Sequence, residues 1–222
     1  MRLGRNPFLF AMKGLALSNK LRYASRVPLA TSNAEPFAME PKNSESRFSP
    51  LVIALHWLTV LLLIAVYASV ELRGLAPKGS ELRGNIKSLH FLLGLSVLVV
   101  VVIRIWVRIQ AGQTPRIEPP MHKWQALAAG AMHHALYAFM IALPLIGWLI
   151  LSASGKPIVL FGLPIPSLIG TDTEFSRQLK EVHEMLATLD YFLIGLHAAA
   201  ALWHHYVMHD NTLVRMLRGD RR

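Results

Sequence analysis

Residues 182–206 read VHEMLATLDYFLIGLHAAAALWHHY, a mostly apolar run that is long enough to cross a membrane. His183 and His197 are fourteen residues apart in it, almost four whole helical turns, so both imidazoles leave the same helix face. Along the axis they are about 21 Å apart, and the hydrocarbon core of a bilayer is about 30 Å thick. One helix therefore offers a nitrogen ligand near each side of a bilayer, as an electron path between two cofactors requires.

The composition indicates a membrane protein. Of 222 residues, 53% are hydrophobic and 16% are charged, whereas aqueous domains carry about 25% charged residues. The chain has no cysteine, which excludes disulfides, iron–sulfur clusters with thiolate ligands and haem attached through Cys-x-x-Cys-His. The formal charge of +10 gathers at the ends of apolar runs, so membrane topology explains it better than nucleic-acid binding.

Four apolar segments, at about residues 51–70, 86–107, 124–151 and 179–207, each reach the roughly 20 residues that a spanning helix needs. A soluble helical bundle would have polar helix faces, and these segments have none. We predict an all-α integral membrane protein, a bundle of four transmembrane helices over residues 49–218. The Gly- and Pro-rich loop at 155–170 is predicted to lie over the outer face as a lid.

The loops predict the orientation of the bundle. The segment between the second and third helices and the C-terminal tail carry the excess of Lys and Arg, whereas the other two loops mix both signs. Because basic loops stay on the cytoplasmic side, both termini are predicted to be cytoplasmic.

Residues 1–48 differ from the rest, with several Arg and Lys residues and no acid before Glu35. Three interpretations are open: an Arg-rich targeting peptide, a disordered cytoplasmic tail, or an upstream translation outside the natural protein. Met39, a plausible second start close to the first span, favours the last. No fold is predicted for this N-terminal extension.

Four histidines match in depth as two pairs. His90 and His183 fall near the outer side, and His56 and His197 fall near the inner side. Two imidazoles from different helices, on opposite faces of a porphyrin iron, make a six-coordinate haem suited to electron transfer. A single membrane histidine is often an interhelical hydrogen-bond partner, but four with matched depths favour two b-type haems.

Two further side chains have open roles at the inner side. His204 is seven residues after His197 and shares its face, so a quinone, a haem propionate or an interfacial hydrogen bond are alternatives. Arg104 either pairs with inner propionates or extends to the interface. The remaining histidines of this side are not needed as haem ligands if the first four are the ligands.

At this point the sequence resembles the bacterial cytochrome b561 family over roughly residues 39–217. The Gly-Leu-His-Ala-Ala-Ala-Ala run that contains His197 and its spacing from His183 form a specific pattern that is not expected by chance. The residues that carry the resemblance are Ile53–Trp57, Glu71–Gly74, His90, Ile141–Pro144, Leu179–Glu184, Ile194–Ala201, His204–Tyr206 and Asp210–Leu213.

The resemblance implies a multi-pass protein of the bacterial inner membrane with four helices, two b haems and the four ligands paired above. It also implies that electrons enter from periplasmic superoxide and leave to ubiquinone, and that His204 lies where the family has a histidine near the quinone. Superoxide is an anion, so a positive surface is expected above the outer haem. The candidates for steering it are Arg73, Arg83, Lys87 and Lys180, for each of which ordinary loop solvation is the alternative.

The sequence departs from the family at Asp190, midway between His183 and His197, where a small residue is expected. An acid in the membrane is costly unless it is paired or protonated, so Asp190 either tunes the haems, carries protons or turns toward a polar partner. Two other functions compete with the superoxide:quinone oxidoreductase. One is a cytochrome b conduit subunit that links an unknown partner dehydrogenase or hydrogenase to the quinone pool, and the other is a haem-free transporter with a histidine proton relay.

Overall fold

The computed structural model describes residues 48–217 except 113, 114, 116 and 161, so the prediction for the N-terminal extension lies outside it but for Phe48. The described residues include four long helices, α1 (Pro50–Leu75), α2 (Glu81–Gln110), α3 (Lys123–Ala153) and α4 (Thr173–Tyr206), and a short 3-10 helix at Val214–Met216. All four are long and apolar enough to cross a membrane, with mean hydropathy between 1.6 and 2.4. The prediction of four spanning segments is confirmed.

Three helices are longer than predicted, by roughly five or six residues, at the ends predicted to face outside. Hydropathy detects only the part of a helix that suits lipid, and charged residues continue the same helix beyond it. Side-chain caps then decide the ends. The Ser80 hydroxyl accepts from Arg83 N at 3.2 Å to start α2, and the Asp172 carboxylate accepts from Phe175 N at 3.0 Å to start α4.

The segment predicted as a lid contains a short antiparallel hairpin, β1 (Ile158–Leu160) and β2 (Leu163–Ile165). Ile158 is buried with Leu95 of α2 and Leu151 of α3, so the hairpin is attached to the ends of those two helices. The all-α prediction holds for the architecture but did not include this hairpin, because three-residue strands have no detectable periodicity.

The helices pack in chain order, α1 on α2, α2 on α3 and α3 on α4, while α4 makes little close backbone contact with α1 or α2. The apolar core between α2 and α3 is built from Val97, Val101, Leu136 and Met140. Only 6% of the apolar window of α4 is buried within the protein. The bundle therefore leaves an open interhelical space along one side of α4.

The start of α1, the α2–α3 loop and the C-terminal segment meet at one end of the bundle. Trp57 Nε1 donates to the Met216 carbonyl at 2.8 Å, and the Arg215 guanidinium donates to the Pro115 carbonyl and lies over the Phe48 ring. These are the three segments that the loop charges predict to share one side of the membrane.

Candidate functional site

His90 of α2 and His183 of α4, here called the outer pair after their predicted side, face each other across the open space. Their ring centroids are 6.4 Å apart and their planes are inclined by 77°. A metal held between two imidazoles, with bonds of about 2 Å and about 1 Å from each nitrogen to its ring centroid, sets the centroids about 6 Å apart. The outer pair therefore has the separation that one axially ligated iron requires.

Ser69 of α1 orients the ring of His90. Its hydroxyl is 2.5 Å from the Val66 carbonyl and 3.0 Å from His90 Nδ1. A hydroxyl has one proton, and the carbonyl can only accept it, so the Ser69 oxygen accepts from Nδ1–H of His90. This contact leaves Nε2 of His90 as the free lone pair, the arrangement typical of metal-ligating histidines.

His183 completes the outer pair from α4. Its Nδ1 is buried and has no hydrogen-bond partner in the described part of the chain. A Cβ at Gly147 of α3 would lie 3.8 Å from Cε1 of His183, so the helix backbone there approaches the ring closely. The Leu143 carbonyl of α3 also interacts with the His183 ring, without a hydrogen bond of normal geometry, so α3 holds this ring from one side.

At the inner end, Arg104 of α2 contacts His56 of α1. Nη2 of Arg104 lies 2.8 Å from Nδ1 of His56, and the guanidinium lies 5.4 Å from the centre of the Tyr137 ring. Because arginine only donates, Nδ1 of His56 is the acceptor. Arg104 was predicted to meet propionates or to extend to the interface, and in this structure it contacts a predicted ligand. A neutral imidazole that accepts at Nδ1 carries its proton on Nε2, so His56 would present Nε2 to iron only once this contact is released.

The ring that contacts His197 of α4 is His133 of α3, with centroids 5.2 Å apart and planes inclined by 81°. His133 Nδ1 donates to the Ala129 carbonyl at 2.6 Å, so its Nε2 is free. His56 interacts electrostatically with both His197 and His133. We call His56 and His197 the inner pair, and His133 is a neighbour that sequence reasoning left as spare.

A glycine lies near one predicted ligand of each pair. A Cβ built at Gly94 or Gly195, both within one helical turn of a predicted ligand, would meet nothing within 4 Å. Within the described residues, no group of three or more His, Asp or Glu is arranged to hold a bare metal ion. Pairs of imidazoles instead suit a metal that brings four ligands of its own, as porphyrin iron does.

Three of the four predicted steering residues line one outer pocket of about 320 Å³: Arg73, Arg83 and Lys87. Lys180 lies near Lys87, and so does Lys156, which sequence reasoning did not select. Two of these cations have other partners. Arg83 Nη1 donates to the Arg73 and Ala76 carbonyls at 2.9 Å, and Lys180 pairs with Glu184 at 2.9 Å.

His204, predicted near a quinone or propionate, pairs with Asp210. Nδ1 of His204 lies 2.5 Å from Oδ2 of Asp210, and Thr212 N donates to Oδ1 at 2.9 Å. Burial alone would raise the pKa of the Asp210 carboxyl, but the hydrogen bonds from His204 and Thr212 outweigh it and hold this pKa below its ordinary value. The carboxylate thus fixes the ring of His204 and leaves its Nε2 free.

Asp190 turns aside toward a polar partner, which was one of the alternatives predicted for it. Its side chain is buried on α4, and its Oδ2 lies 3.1 Å from the hydroxyl of Tyr67 on α1. Sequence reasoning did not select Tyr67, because nothing in the order of residues indicates which side chain of α1 reaches α4.

Comparison with known proteins identifies the family. A sequence model described as "Prokaryotic cytochrome b561" matches residues 47–219. The chain belongs to the prokaryotic cytochrome b561 family. It is similar to cytochrome b561 homolog 1 of Escherichia coli K12, with 40% identity over 172 residues, which cover 78% of this chain and 97% of that one.

Two other members are also similar. The "Probable superoxide oxidase CybB" of Yersinia pestis is 40% identical over 175 residues, 79% of this chain and 98% of that one. Cytochrome b561 homolog 2 of Escherichia coli K12 is 32% identical over 186 residues, 79% of this chain and 93% of that one. Like other cytochromes b561, the chain is an integral membrane protein of electron transport, and the family binds haem b.

Proposed function

We propose that the chain is a two-haem membrane cytochrome b that takes electrons from superoxide on the outer side and passes them to ubiquinone. The observation that carries the proposal is the outer pair, whose separation of 6.4 Å and oriented His90 ring suit axial ligation. The relative from Yersinia pestis, named as a probable superoxide oxidase, supports this choice of substrate.

His90 and His183 would hold one haem, and His56 and His197 the other. Haem iron, when bound, supplies reversible one-electron chemistry. The residues of the chain orient the ligands and set the charge around them. Ser69 keeps the lone pair of His90 Nε2 available. Ligation by His56 would require Arg104 to leave Nδ1 of His56, while its positive charge stays near the inner pair.

The basic outer pocket supports superoxide as the electron donor. Lys87 and Lys180 are three residues from His90 and His183, Arg73 interacts electrostatically with His90, and Lys156 neighbours Lys87. Such a field raises the local concentration of a small anion and increases its association rate. Because Arg83 caps the end of α1 and Lys180 has Glu184 as a partner, we assign most of the steering to Lys87 and Arg73.

The His204–Asp210 pair supports a quinone site at the inner end. An imidazolium whose Nδ1–H is held by a carboxylate donates its Nε2–H to a quinone carbonyl and can transfer that proton to it. A quinone that accepts two electrons also takes up two protons, so a proton-transferring group beside it is required. His204 is the residue of the described chain that we assign to this role.

We further propose that the chain spans the bacterial inner membrane with both termini in the cytoplasm. Residues 49–218 would form the cytochrome domain, and residues 1–48 would be an extension outside it. The joint position of the α1 start, the α2–α3 loop and the C-terminal segment supports this topology, because these basic segments share one end of the bundle.

The haem content of the purified protein and of its histidine variants tests the ligation. We expect two non-covalent b haems per chain, one of them lost in His183→Ala and the other in His56→Ala. His134→Ala is the matched control, since His134 is exposed and its Nδ1 donates to the Gly130 carbonyl. A colourless protein, or haem content unchanged in both variants, would contradict the proposal.

Ubiquinone reduction by superoxide, measured with the purified chain alone, tests the reaction. Activity without any added protein distinguishes the oxidoreductase from the conduit subunit, which would need its partner dehydrogenase or hydrogenase. Two haems with no superoxide-dependent quinone reduction would favour the conduit.

A further inference from the structure

Asp190 is a buried acid in the middle of a membrane-spanning helix. It lies seven residues from both His183 and His197, and its exposed fraction is 1%. No salt bridge in the described part of the chain includes Asp190, and its Oδ1 has no hydrogen-bond partner there. An unpaired carboxylate in such surroundings is costly, so the contacts of its other oxygen decide its state.

The hydroxyl of Tyr67 is the polar group that contacts this acid. The Tyr67 hydroxyl lies 2.9 Å from the Ala187 carbonyl and 3.1 Å from Oδ2 of Asp190. The phenol is the donor in both contacts, and it has only one proton for the two oxygens. Asp190 therefore receives at most one hydrogen bond from Tyr67, while its Oδ1 has none in the described part of the chain. A carboxylate with so little compensation is costly in lipid, which favours the neutral acid.

Few other groups surround this acid. Tyr67 faces it from α1, and Tyr191 follows it on α4, with a ring 5.6 Å from that of Tyr67. Along α4, His183 and His197 are each about 10 Å away on the helix axis. No Lys or Arg of the described chain pairs with Asp190. The charge at the two histidine pairs is therefore the main variable charge that this carboxyl senses.

We propose that Asp190, held by Tyr67, is a membrane-embedded proton-binding site coupled to the redox state of the two histidine pairs. This inference rests on the proposed haem ligation. An oxidised bis-histidine haem carries one net positive charge and a reduced one carries none. Positive charge nearby favours the carboxylate, and its loss favours the neutral acid.

The step balances in charge and atoms. When one electron arrives at a histidine pair, one proton from water forms an O–H bond on the Asp190 carboxylate. When the electron leaves, that bond breaks and the proton returns to water. The membrane interior then gains no net charge as electrons pass, which matters because the energy of an uncompensated charge is high there.

Redox titration at several pH values tests the coupling, with chemical mediators in place of superoxide and quinone. We expect at least one midpoint potential of the wild-type protein to fall with rising pH, by up to about 59 mV per unit, the value for a tenfold change with one electron. Asp190→Asn should remove this dependence. Glu181→Gln is the matched control, an exposed acid on the same helix that pairs with Arg177.

Infrared difference spectra, reduced minus oxidised, give a second measurement. The wild type should gain the C=O band of a protonated carboxylic acid on reduction, Asp190→Asn should lack it, and Glu181→Gln should retain it. Tyr67→Phe removes the hydroxyl and should shift the band without abolishing it. If Asp190→Asn fails to hold haem, the wild-type and Tyr67→Phe spectra still show whether a carboxylic acid band appears on reduction and whether it depends on the Tyr67 hydroxyl.

Equal pH dependence of the potentials in the wild type and Asp190→Asn, or no carboxylic band on reduction, would overturn this inference and leave Asp190 as a structural polar contact. That failure is separate from failure of the proposed function. Haem content is measured first, so fewer than two haems contradicts the ligation, and two haems without proton coupling contradicts only the role of Asp190.

Discussion

The outer and inner histidine pairs share α4 and a fourteen-residue spacing, but their partners differ. At the outer pair a neutral hydroxyl, Ser69, accepts from His90, whereas at the inner pair a cation, Arg104, donates to His56. A positive charge beside a metal ligand favours the reduced metal, and an acceptor on Nδ1–H strengthens the ligand and favours the oxidised one. The comparison predicts that electrons move downhill from the outer pair to the inner pair.

The largest expected effect concerns which imidazole is the inner ligand on the α3–α4 side. His197 and His133 lie in ring contact, and only one can share an iron with His56. We expect His197→Ala to lose one haem completely and His133→Ala to keep both, as counted from reduced-minus-oxidised spectra. If His133→Ala lost a haem and His197→Ala kept both, His133 would be the inner ligand. The two pairs would then no longer share α4.

A smaller loss is expected from Asp210→Ala, which leaves the Nδ1–H of His204 and the amide of Thr212 without their acceptor. Hydrogen bonds to charged groups contribute about 1.5–3 kcal/mol, so thermal unfolding in detergent at pH 7 should show a loss of roughly that size. Because folding lowers the pKa of Asp210, its contribution is present above the unfolded pKa and disappears as pH falls through the folded one.

The difference between the wild type and Asp210→Ala should therefore shrink in acid, as the pH falls through the pKa of Asp210. A difference that is as large at low pH as at pH 7 would show that the carboxylate charge is irrelevant. His204 would then be held by packing alone, and the inner end would lack the oriented imidazole that the quinone site requires.

Arg104→Gln tests the charge difference between the two ends directly. Removing the cation should lower the potential of the inner haem by on the order of 1–2 kcal/mol, or about 50–100 mV, and leave the outer potential nearly unchanged. Spectroelectrochemical titration that resolves the two haems measures this shift. Equal shifts of both potentials would mean that Arg104 does not act through its contact with His56.

The smallest effect is expected from Ser69→Ala, which removes the acceptor for Nδ1–H of His90. A neutral hydrogen bond contributes about 0.5–1.5 kcal/mol, and only part of it differs between the oxidised and reduced states. The outer potential should rise by about 20–40 mV with the inner one fixed. Ser96→Ala is the matched control, since its hydroxyl donates to the Leu92 carbonyl within α2.

Much of the architecture could be predicted from residue order alone. Uninterrupted apolar runs predict four spanning helices, because an element in lipid must satisfy its own backbone hydrogen bonds. The spacing of His183, Asp190 and His197 in multiples of seven determines that they follow one stripe of α4. Loop charges predict which segments share a side, and the contacts of Trp57 and Arg215 place those segments at one end.

The partners of the histidines could not be predicted in this way. Arg104 on His56, Ser69 on His90, Tyr67 on Asp190 and Asp210 on His204 are contacts between helices or across a helix end. Each depends on how neighbouring helices rotate and slide as their apolar faces pack, which no period in one segment encodes. His133 was left as spare for the same reason, since its approach to His197 is set by the packing of α3 on α4.

The sequence by itself determined the four helices, their order and the row of polar groups along α4, since these follow from local hydrogen bonding and hydropathy. Only the tertiary structure decided that Ser69 accepts from His90, that Arg104 lies beside His56 and that Asp190 contacts the phenol of Tyr67. Such choices depend on distances of a few ångströms between helices that are far apart in the chain. The difference between the two ends of the bundle is therefore a property of packing.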